Sequence, residues 1–385
     1  MKNEITILIS THSGMVKRKP NPLKRLLNSL KGLNGEEFRV VILNTTDPPD
    51  TSVEEIIKGM IDDYKKHFRI MCCSILDLWK IHEFLENNGF SDMVSDISLK
   101  GYANFRNFGL IIARILRSKL VLMLDDDEVV SEKDFLKMVR EGIGTSVNRK
   151  KLYGKTGYYV YKDGGYKLKP KGVMRKKMWP AIRTINEVLE NIVESKKRFN
   201  ETTIAMGGLM VLYEKLYTKI PFDPEVPRGE DTDYLMNAKQ WGFRFIMDNQ
   251  LKILHCPVKY KIDFWEHLRR DIYRFVYVRE KLSYFSKLDV KDLEPYPGIF
   301  LNNDLEYRAT VTSINYATRA LDRNKKKYFR EHMRNIEITF KDAKEHAVKN
   351  AHKYFRFQKR WEKMMKVIPK SKKLYRFFYR FQYAE

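Results

Sequence analysis

Residues 120–128 read LVLMLDDDE, five apolar residues followed directly by four acidic ones. An uninterrupted apolar run of this length predicts a strand that is buried on both faces of a mainly parallel sheet. The four carboxylates then lie at the carboxyl end of the strand, which is the edge where open α/β sheets bind ligands. Clustered carboxylates repel one another, and a hard divalent cation bound between them and phosphate groups would relieve that repulsion. The alternative is a solvated acidic turn before a helix that begins near Ser131.

The rest of the first half of the chain alternates strand and helix patterns, which is typical of right-handed crossovers in a parallel sheet. Strands are predicted at residues 5–10, 39–45, 68–74 and 119–124, and helices at 22–33, 52–66, 104–117 and 134–142. Later strands are predicted at 206–213, 243–248 and 252–255, helices at 184–197 and 230–241, and a hairpin around Asp163-Gly164-Gly165. We therefore expect one α/β domain over residues 1–260 and a basic, aromatic helical region over residues 261–385.

The composition indicates a globular protein with an anionic partner. The 385 residues include 73 Lys and Arg against 49 Asp and Glu, a net charge of +24, which favours nucleotide phosphates, a phosphorylated substrate, an anionic membrane or nucleic acid. Cys72, Cys73 and Cys256 form neither a disulfide framework nor a metal knuckle, so a reducing compartment is expected. No stretch approaches the roughly 20 apolar residues of a membrane span. The sequence thus predicts a cytoplasmic protein and leaves peripheral attachment at the inner face of the membrane open.

Several short motifs occur in an order that resembles a known family. They are the strand that ends at Thr11, the helix with Arg106-Asn107, the acidic strand end, the pair Gly207-Gly208, the helix start Gly229-Glu230-Asp231 and the strand-end His255. Over roughly residues 3–260 the chain resembles the GT-A-fold, nucleotide-sugar-dependent glycosyltransferases, closest in motif order to glycosyltransferase family 2. The resemblance implies a GT-A fold, a UDP- or GDP-linked sugar donor, and Mg²⁺ or Mn²⁺ as the cofactor.

The resemblance also implies which residues hold the metal and the donor. Asp125 and Asp127 match the Asp-x-Asp element, in which the first residue holds the ribose or the metal and the second binds the metal. The neighbouring Asp126 and Glu128 leave the register open by one residue. His255 matches a metal-binding histidine of several relatives, and a hydrogen-bonded structural histidine is the alternative.

The donor site is further expected to include residues that follow other strands or lie on the helix before the acidic strand. Thr11 and His12 are expected near the base or ribose, as is Asn44 or Asp47. Arg106 and Asn107 are expected near the nucleotide-sugar, with a surface arginine as the alternative for Arg106. Gly207 and Gly208, which are also expected near the donor, could line an acceptor pocket together with Trp179, because a sugar ring packs well on an aromatic face.

The catalytic residues are expected at the start of the helix at residues 230–241. The macrodipole at a helix N-terminus favours ionised carboxylates, and on the sequence alone a capped helix start with an acidic first turn is the better explanation of Glu230 and Asp231. The resemblance implies that Asp231 is the general base of an inverting transfer, accepting the proton of the acceptor hydroxyl. Glu230 is then its neighbour in the catalytic motif, and Asp233 is expected only to cap the helix.

Two basic segments lie outside these motifs. The first, with Lys167, Lys169, Lys171, Arg175, Lys176 and Lys177, could hold an anionic acceptor or could be an ordinary solvated face. The second, residues 370–383, places Leu374, Phe377, Phe378 and Phe381 at helical spacing among lysines and arginines. Such a helix can dock on a membrane, on a second copy of the chain or on its own domain.

We therefore predict a metal-dependent hexosyltransferase that moves a sugar from a nucleotide-diphosphate-sugar donor to an acceptor hydroxyl with inversion. The acceptor could be a glycan, a lipid-linked saccharide or a small phosphorylated solute. One alternative is a nucleotidyltransferase of similar fold, although residues 13–19 offer only one glycine for a phosphate loop. The other is a basic nucleic-acid-binding protein, which is disfavoured because no recognition module is visible and the acidic strand end would repel a phosphate backbone.

Overall fold

The computed structural model describes residues 5–34, 37–147, 149–169, 178–258 and 262–380. Its strands are β1 (Ile5–Thr11), β2 (Phe38–Asn44), β3 (Arg69–Cys73), β4 (Leu120–Asp125), β5 (Glu128–Val129), β6 (Ser146–Val147), β7 (Lys150–Val160), β8 (Phe199–Glu201), β9 (Met210–Tyr213) and β10 (Arg244–His255). The helices up to residue 258 are α1 (Ser13–Val16), α2 (Pro22–Leu30), α3 (Thr51–Tyr64), α4 (Ile75–Asn87), α5 (Tyr102–Ile115), α6 (Phe135–Arg140), α7 (Ala181–Val193), α8 (Glu214–Tyr217) and α9 (Glu230–Gln240). The later helices are α10 (Phe264–Leu282), α11 (Leu305–Asp322), α12 (Lys326–Phe340), α13 (Asp342–Asn350), α14 (Lys353–Val367) and α15 (Lys372–Arg380).

The strands form one mixed sheet in the order β3-β2-β1-β4-β9-β7-β10-β5. β1 is parallel to both β2 and β4, and β2 is parallel to β3. β9 lies antiparallel between β4 and β7, and β10 is parallel to β7. The expected α/β fold class is thereby confirmed: the sheet is mainly parallel, is flanked by helices and is followed by a helical C-terminal region.

Each face of the sheet packs against its own hydrophobic core. Successive strand residues point to opposite faces, so Leu122 and Leu124 of β4 enter one core while Val121 and Met123 enter the other. The C-terminal helices complete both cores, because Phe275 of α10 joins the first and Trp361 of α14 joins the second. The domain boundary at residue 260 lies outside the described residues and stays a prediction.

The structure differs from the sequence expectations in several elements, of which three bear on the architecture. Helix α4 follows β3 directly and was not expected. The hairpin around Asp163 is a tight turn, in which Gly164 donates to the Tyr161 carbonyl (2.8 Å), while β7 pairs with β10 and β9. The two short strands expected at 243–248 and 252–255 form a single strand, β10, whose pairing with β7 changes register between Met247 and Lys252.

The basic amphipathic helix at the end of the chain folds back on its own domain. Leu374 and Phe378 of α15 are buried in the second core, and Lys373 reaches Glu83 of α4 (3.0 Å). Phe381, also expected on this helix, lies outside the described residues. In the ranges that the structure describes, no helix combines the length and the apolarity needed to cross a bilayer.

Candidate active site

The carboxyl ends of β1, β2 and β4 meet at one edge of the sheet. In the parallel register Thr11 is opposite Asn44, and Ser10 is opposite Asp125. Parallel strands bring their carboxyl ends to the same edge, so residues that are far apart in sequence line one crevice. Sequence reasoning expected Thr11, Asn44 and Asp125 at this edge, and the structure places all three there.

The acidic turn that follows β4 gives each of its carboxylates a different environment. Ser10 Oγ lies 3.4 Å from Asp125 Oδ1, and Thr11 Oγ1 donates to Asp126 Oδ2 (2.6 Å). Burial raises the pKa of Asp126 to about 7. Glu128 Oε2 accepts from the Asp125 backbone N–H (3.0 Å), so this carboxylate folds back over the turn.

Asp127 and His255 form a pair at the end of β10. His255 Nε2 lies 3.5 Å from Asp127 Oδ1, and the Tyr159 ring lies 4.5 Å from the imidazole between centroids. Burial alone would raise the pKa of Asp127, but the hydrogen bond and charge of His255 lower it. β5 pairs with the end of β10 through Glu128 and His255, so the expected association of His255 with the acidic strand end is found.

Arg106 connects the acidic turn to the start of α9. Its Nη1 donates to the Gly207 carbonyl (2.6 Å), and its Nη2 lies 3.4 Å from Glu230 and 3.8 Å from Asp125. The residue is 5% exposed, so the surface alternative for Arg106 is wrong. A buried guanidinium between two carboxylates offsets part of their mutual repulsion.

Gly207 and Gly208 form a 3₁₀ turn that lies directly over this charged cluster. A Cβ at Gly207 would lie 3.0 Å from Arg106 Nη1, and a Cβ at Gly208 would lie 2.8 Å from Asp125 Oδ2. The Gly208 N–H donates to Tyr159 Oη (2.9 Å). The backbone therefore approaches the site closely only because both residues lack a side chain.

Helix α9 begins with its acidic pair directed at the same place. Its N-cap, Gly229, has a positive φ of 71°, a conformation that glycine adopts readily. Asp231 Oδ2 accepts from the Gly207 N–H (3.2 Å), and burial raises the pKa of Glu230 despite the nearby guanidinium of Arg106. The structure thus brings Glu230 and Asp231 together with Arg106 and Asp125.

Sequence reasoning missed two residues at this site. Arg274 of α10 is buried against Gly229, where it leaves no room for a Cβ, and donates to Tyr296 Oη (2.6 Å). Tyr102 is 61% exposed and precedes Arg106 by four residues on α5, so both lie on one helix face. The i, i+4 spacing could have indicated Tyr102, whereas Arg274 has no local signal because its contact spans 45 residues of sequence.

Other expected site residues have structural environments. Asn107 exchanges two hydrogen bonds of 2.8 Å with the backbone of Phe222 and is fully buried. The Trp179 ring packs against Phe275 and Phe300 and is 4% exposed, so it presents no free face to a sugar. Both expectations of direct ligand contact are therefore disfavoured by the packing.

Three further residues differ in how far they reach the crevice. His12 caps α1 by accepting from Gly14 N–H (3.1 Å), and partial burial lowers its pKa. Asn44 Oδ1 accepts from the Thr46 N–H (3.2 Å). Asp47 lies 3.1 Å from the exposed Lys100. Of the three, Asn44 alone is buried at the strand edge.

Asp233, expected as a simple helix cap, instead belongs to a buried ion cluster. It contacts Lys281 of α10, which also lies 2.8 Å from Asp223. All three side chains are at most 1% exposed. Burial alone would lower the pKa of Lys281, but the two carboxylates raise it above its ordinary value.

The basic segment expected near the acceptor is only partly described. Lys167 pairs with Glu190 and Lys169 pairs with Asp163, and all four side chains are largely exposed. Lys171, Arg175, Lys176 and Lys177 lie outside the described residues. The two described lysines fit the solvated alternative.

The chemistry of the acidic strand end fits a divalent cation. Among the described residues, Glu128 Oε1 and His255 Nδ1 are buried and have no hydrogen-bond partner. Burial raises the pKa of Asp125 and of Glu128, so extra positive charge would stabilise their ionised forms. Within the part of the chain that the structure describes, no three His, Cys, Asp or Glu side chains already have the spacing of a metal centre. The candidate ligands are therefore individual strand-end groups, not a closed cage.

The similarity of this chain to known proteins is confined to distant structural matches. No protein-family model matches the sequence, and no curated protein matches it. Among solved structures, a mannosyltransferase from Pyrobaculum calidifontis, PcManGT in complex with GDP-Man and Mn²⁺, is 11% identical, with a TM-score of 0.49 over 94% of this chain and 84% of that one. TarS from S. aureus, residues 1–349, is 13% identical, with a TM-score of 0.43 over 87% and 90%. A mycobacterial protein is also 13% identical, with a TM-score of 0.43 over 75% and 76%.

Proposed function

We propose that this protein is a metal-dependent glycosyltransferase of the family 2 type, which moves a hexosyl group from a UDP- or GDP-linked donor to an acceptor hydroxyl with inversion. The observation that supports this most directly is the position of Arg106 between Asp125 and Glu230. It joins the expected donor-binding strand end to the expected acceptor-activating helix start in one crevice. The proposed acceptor is a glycan, a lipid-linked saccharide or a small phosphorylated solute, and the three free cysteines favour the cytoplasm.

The donor end of the proposed site is the sheet edge. Thr11 and Asn44 would bind the nucleoside, and Asp126 helps to position Thr11 through their hydrogen bond. Asp125, Asp127 and His255 are the groups that would hold Mg²⁺ or Mn²⁺. When bound, such an ion neutralises the charge that develops on the leaving diphosphate.

Arg106 and the glycine turn would position the transferred sugar. The Arg106 guanidinium is held by the Gly207 carbonyl and by Glu230, so it stays ordered beside the diphosphate position. A preorganised cation at a developing negative charge is usually among the largest catalytic contributions. Gly207 and Gly208 let the backbone reach the sugar without a side chain in between.

The acceptor end of the site is the start of α9. Asp231 is fixed by the N–H groups of Gly207 (3.2 Å) and Thr232 (2.6 Å), and its remaining lone pairs can accept the acceptor's proton. The deprotonated oxygen then attacks the anomeric carbon as the bond to the diphosphate breaks. Glu230 holds Arg106 and is not needed as the base.

The test begins with a screen of UDP- and GDP-sugars with Mn²⁺ or Mg²⁺, following release of the nucleoside diphosphate. With the active donor, Asp231→Asn should lower kcat by about 10²–10⁴-fold with donor binding little changed. Glu230→Gln should weaken donor binding more than Asp231→Asn does, because it frees Arg106. Asp322→Asn, an exposed position on α11, is the matched control and should behave as wild type.

The stereochemistry of the product tests the inverting mechanism. An α-linked donor should give a β-linked product, as determined by NMR. An α-linked product would mean retention and would remove the need for Asp231 as a base. Failure of every UDP- and GDP-sugar in the screen would contradict glycosyl transfer itself.

A further inference from the structure

The exposed large apolar side chains are concentrated in one segment of the sequence. Six of the eleven large apolar side chains that the described residues leave exposed lie between residues 305 and 348. They are Tyr307, Ile314, Leu321, Met333, Phe340 and Val348. Because this segment is only about a ninth of the chain, exposed apolar side chains are over-represented in it, and such side chains indicate an interaction surface where they lie side by side.

Three of these residues form a stripe along α11. Tyr307, Ile314 and Leu321 are seven residues apart, so they lie on one face of the helix. They are 71%, 47% and 56% exposed. The opposite face is buried: Ala309 and Thr312 are fully covered there, and Thr312 donates to the Met178 carbonyl (3.1 Å). The stripe is thus an outward surface of a firmly packed helix.

The end of this helix and the start of the next carry a cluster of positive charge. Helices α11 and α12 pack together, with the rings of Tyr316 and His332 stacked at 5.3 Å. We call residues 305–340 the basic hairpin. Its tip, residues 319–330, contains six Lys and Arg and one Asp. The six are Arg319, Arg323, Lys325, Lys326, Lys327 and Arg330, and all are exposed.

We propose that the basic hairpin docks the protein on an anionic lipid bilayer, with the apolar stripe of α11 in the headgroup region and the cationic tip on the lipid phosphates. An amphipathic helix with a basic end is the arrangement that binds such surfaces, through buried apolar area and electrostatic attraction together. The inference is independent of glycosyl transfer, since it uses none of the residues of the catalytic cluster.

The charge of the hairpin selects the bilayer over a second copy of the chain. Two copies that met through this face would bring together two molecules that each carry a net charge of +24. Like charges in apposition oppose association. The sequence also offered the C-terminal tail as a membrane-contact segment. The basic hairpin is the better candidate, because Leu374 and Phe378 of α15 are buried in the second core of their own domain.

The experiment measures co-sedimentation of the full chain with phosphatidylglycerol vesicles and with phosphatidylcholine vesicles. The wild-type protein should bind phosphatidylglycerol vesicles and should bind phosphatidylcholine vesicles much more weakly. Lys325→Glu/Lys326→Glu/Lys327→Glu should lower the partition coefficient on phosphatidylglycerol by at least on the order of a hundredfold, since each lysine near such a surface contributes about fivefold. Tyr307→Ser/Ile314→Ser/Leu321→Ser should lower it by at least about tenfold.

Leu76→Ser/Trp79→Ser is the matched control, because both residues are comparably exposed on α4 (61% and 57%). It should bind vesicles as wild type does. Urea denaturation of each variant checks that these surface changes leave the fold intact.

Equal binding of wild type to both vesicles, no binding to either, or hairpin variants that bind as well as wild type would overturn the proposal. A dimer in sedimentation velocity that the serine variant dissociates, without vesicle binding, would assign the face to a second copy instead.

Discussion

Replacing Lys281 by methionine tests whether the helical C-terminal region is an integral part of the α/β domain. Lys281 on α10 is 1% exposed and lies between Asp223 and Asp233. Asp233 is two residues after the proposed base, Asp231, on the same helix. Lys281→Met fills a similar volume but leaves two buried carboxylates without their cation.

The expected cost follows from the burial of the cluster. Removing one partner of a buried ion pair typically costs about 3–5 kcal/mol, because the remaining charge is desolvated and unpaired. Tyr277 Oη also donates to Asp223 (2.8 Å), so that carboxylate keeps one hydrogen bond. We therefore expect Lys281→Met to lower the free energy of unfolding by about 3–5 kcal/mol, and Lys281→Met/Asp233→Asn to recover part of this.

Urea denaturation followed by circular dichroism provides the measurement. The control is Lys344→Met, which removes a half-exposed lysine that lies 3.4 Å from Glu306 and should cost no more than about 1 kcal/mol, because Glu306 stays paired with Arg279. A loss below about 1 kcal/mol for Lys281→Met would refute the reasoning. A double variant less stable than the single one would show that the carboxylates are not destabilised by losing the lysine.

Three further predictions concern separate parts of the molecule. Burial lowers the pKa of His332 to about 4, so the native state excludes a proton that the unfolded chain binds. The free energy of unfolding should therefore fall by up to about 3 kcal/mol as the pH drops from 6.5 to 4. Over the same pH range, the urea midpoint of His332→Phe should fall less than that of the wild-type protein. Asp127→Ala should abolish Mn²⁺-dependent binding of the donor in calorimetry while the thermal midpoint stays close to wild type; unchanged affinity would remove Asp127 from the metal site. Asn107→Leu should lower the free energy of unfolding by about 2–4 kcal/mol through its two lost bonds to Phe222, and a loss of donor affinity without a loss of stability would instead place Asn107 in the binding site.

Local sequence patterns predicted the sheet edge well. Residues 120–128 contain both the uninterrupted apolar run of β4 and the acidic residues that mark its end, so nine residues suffice to predict this strand and its boundary. The same holds for the start of α9, where glycine precedes an acidic pair. These patterns predicted which residues reach the candidate site, and Asp125, Arg106, Glu230 and Asp231 do converge there.

Contacts between distant segments could not be predicted in this way. Asn107 is next to Arg106 in the sequence and was therefore expected at the donor site. Its side-chain amide instead donates a hydrogen bond to the carbonyl of Phe222, 115 residues later in the sequence. Asp233 has the sequence position of a helix cap, but in the structure it pairs with Lys281, which lies 48 residues later in the sequence. Arg274 reaches Gly229 only because α10 packs across the start of α9. In each case the partner is chosen by tertiary packing, which leaves no periodic signal in the sequence.

The short strand β5 has a consequence for the entropy of ligand binding. Its pairing with the end of β10 closes the acidic turn on one side, while β4 holds it on the other. A loop that is anchored at both ends gives up little conformational freedom when a ligand arrives, so less of the interaction energy is spent on ordering it. The crevice is in this respect a preformed receptor, and we expect the acidic turn to keep the same backbone conformation with and without the donor.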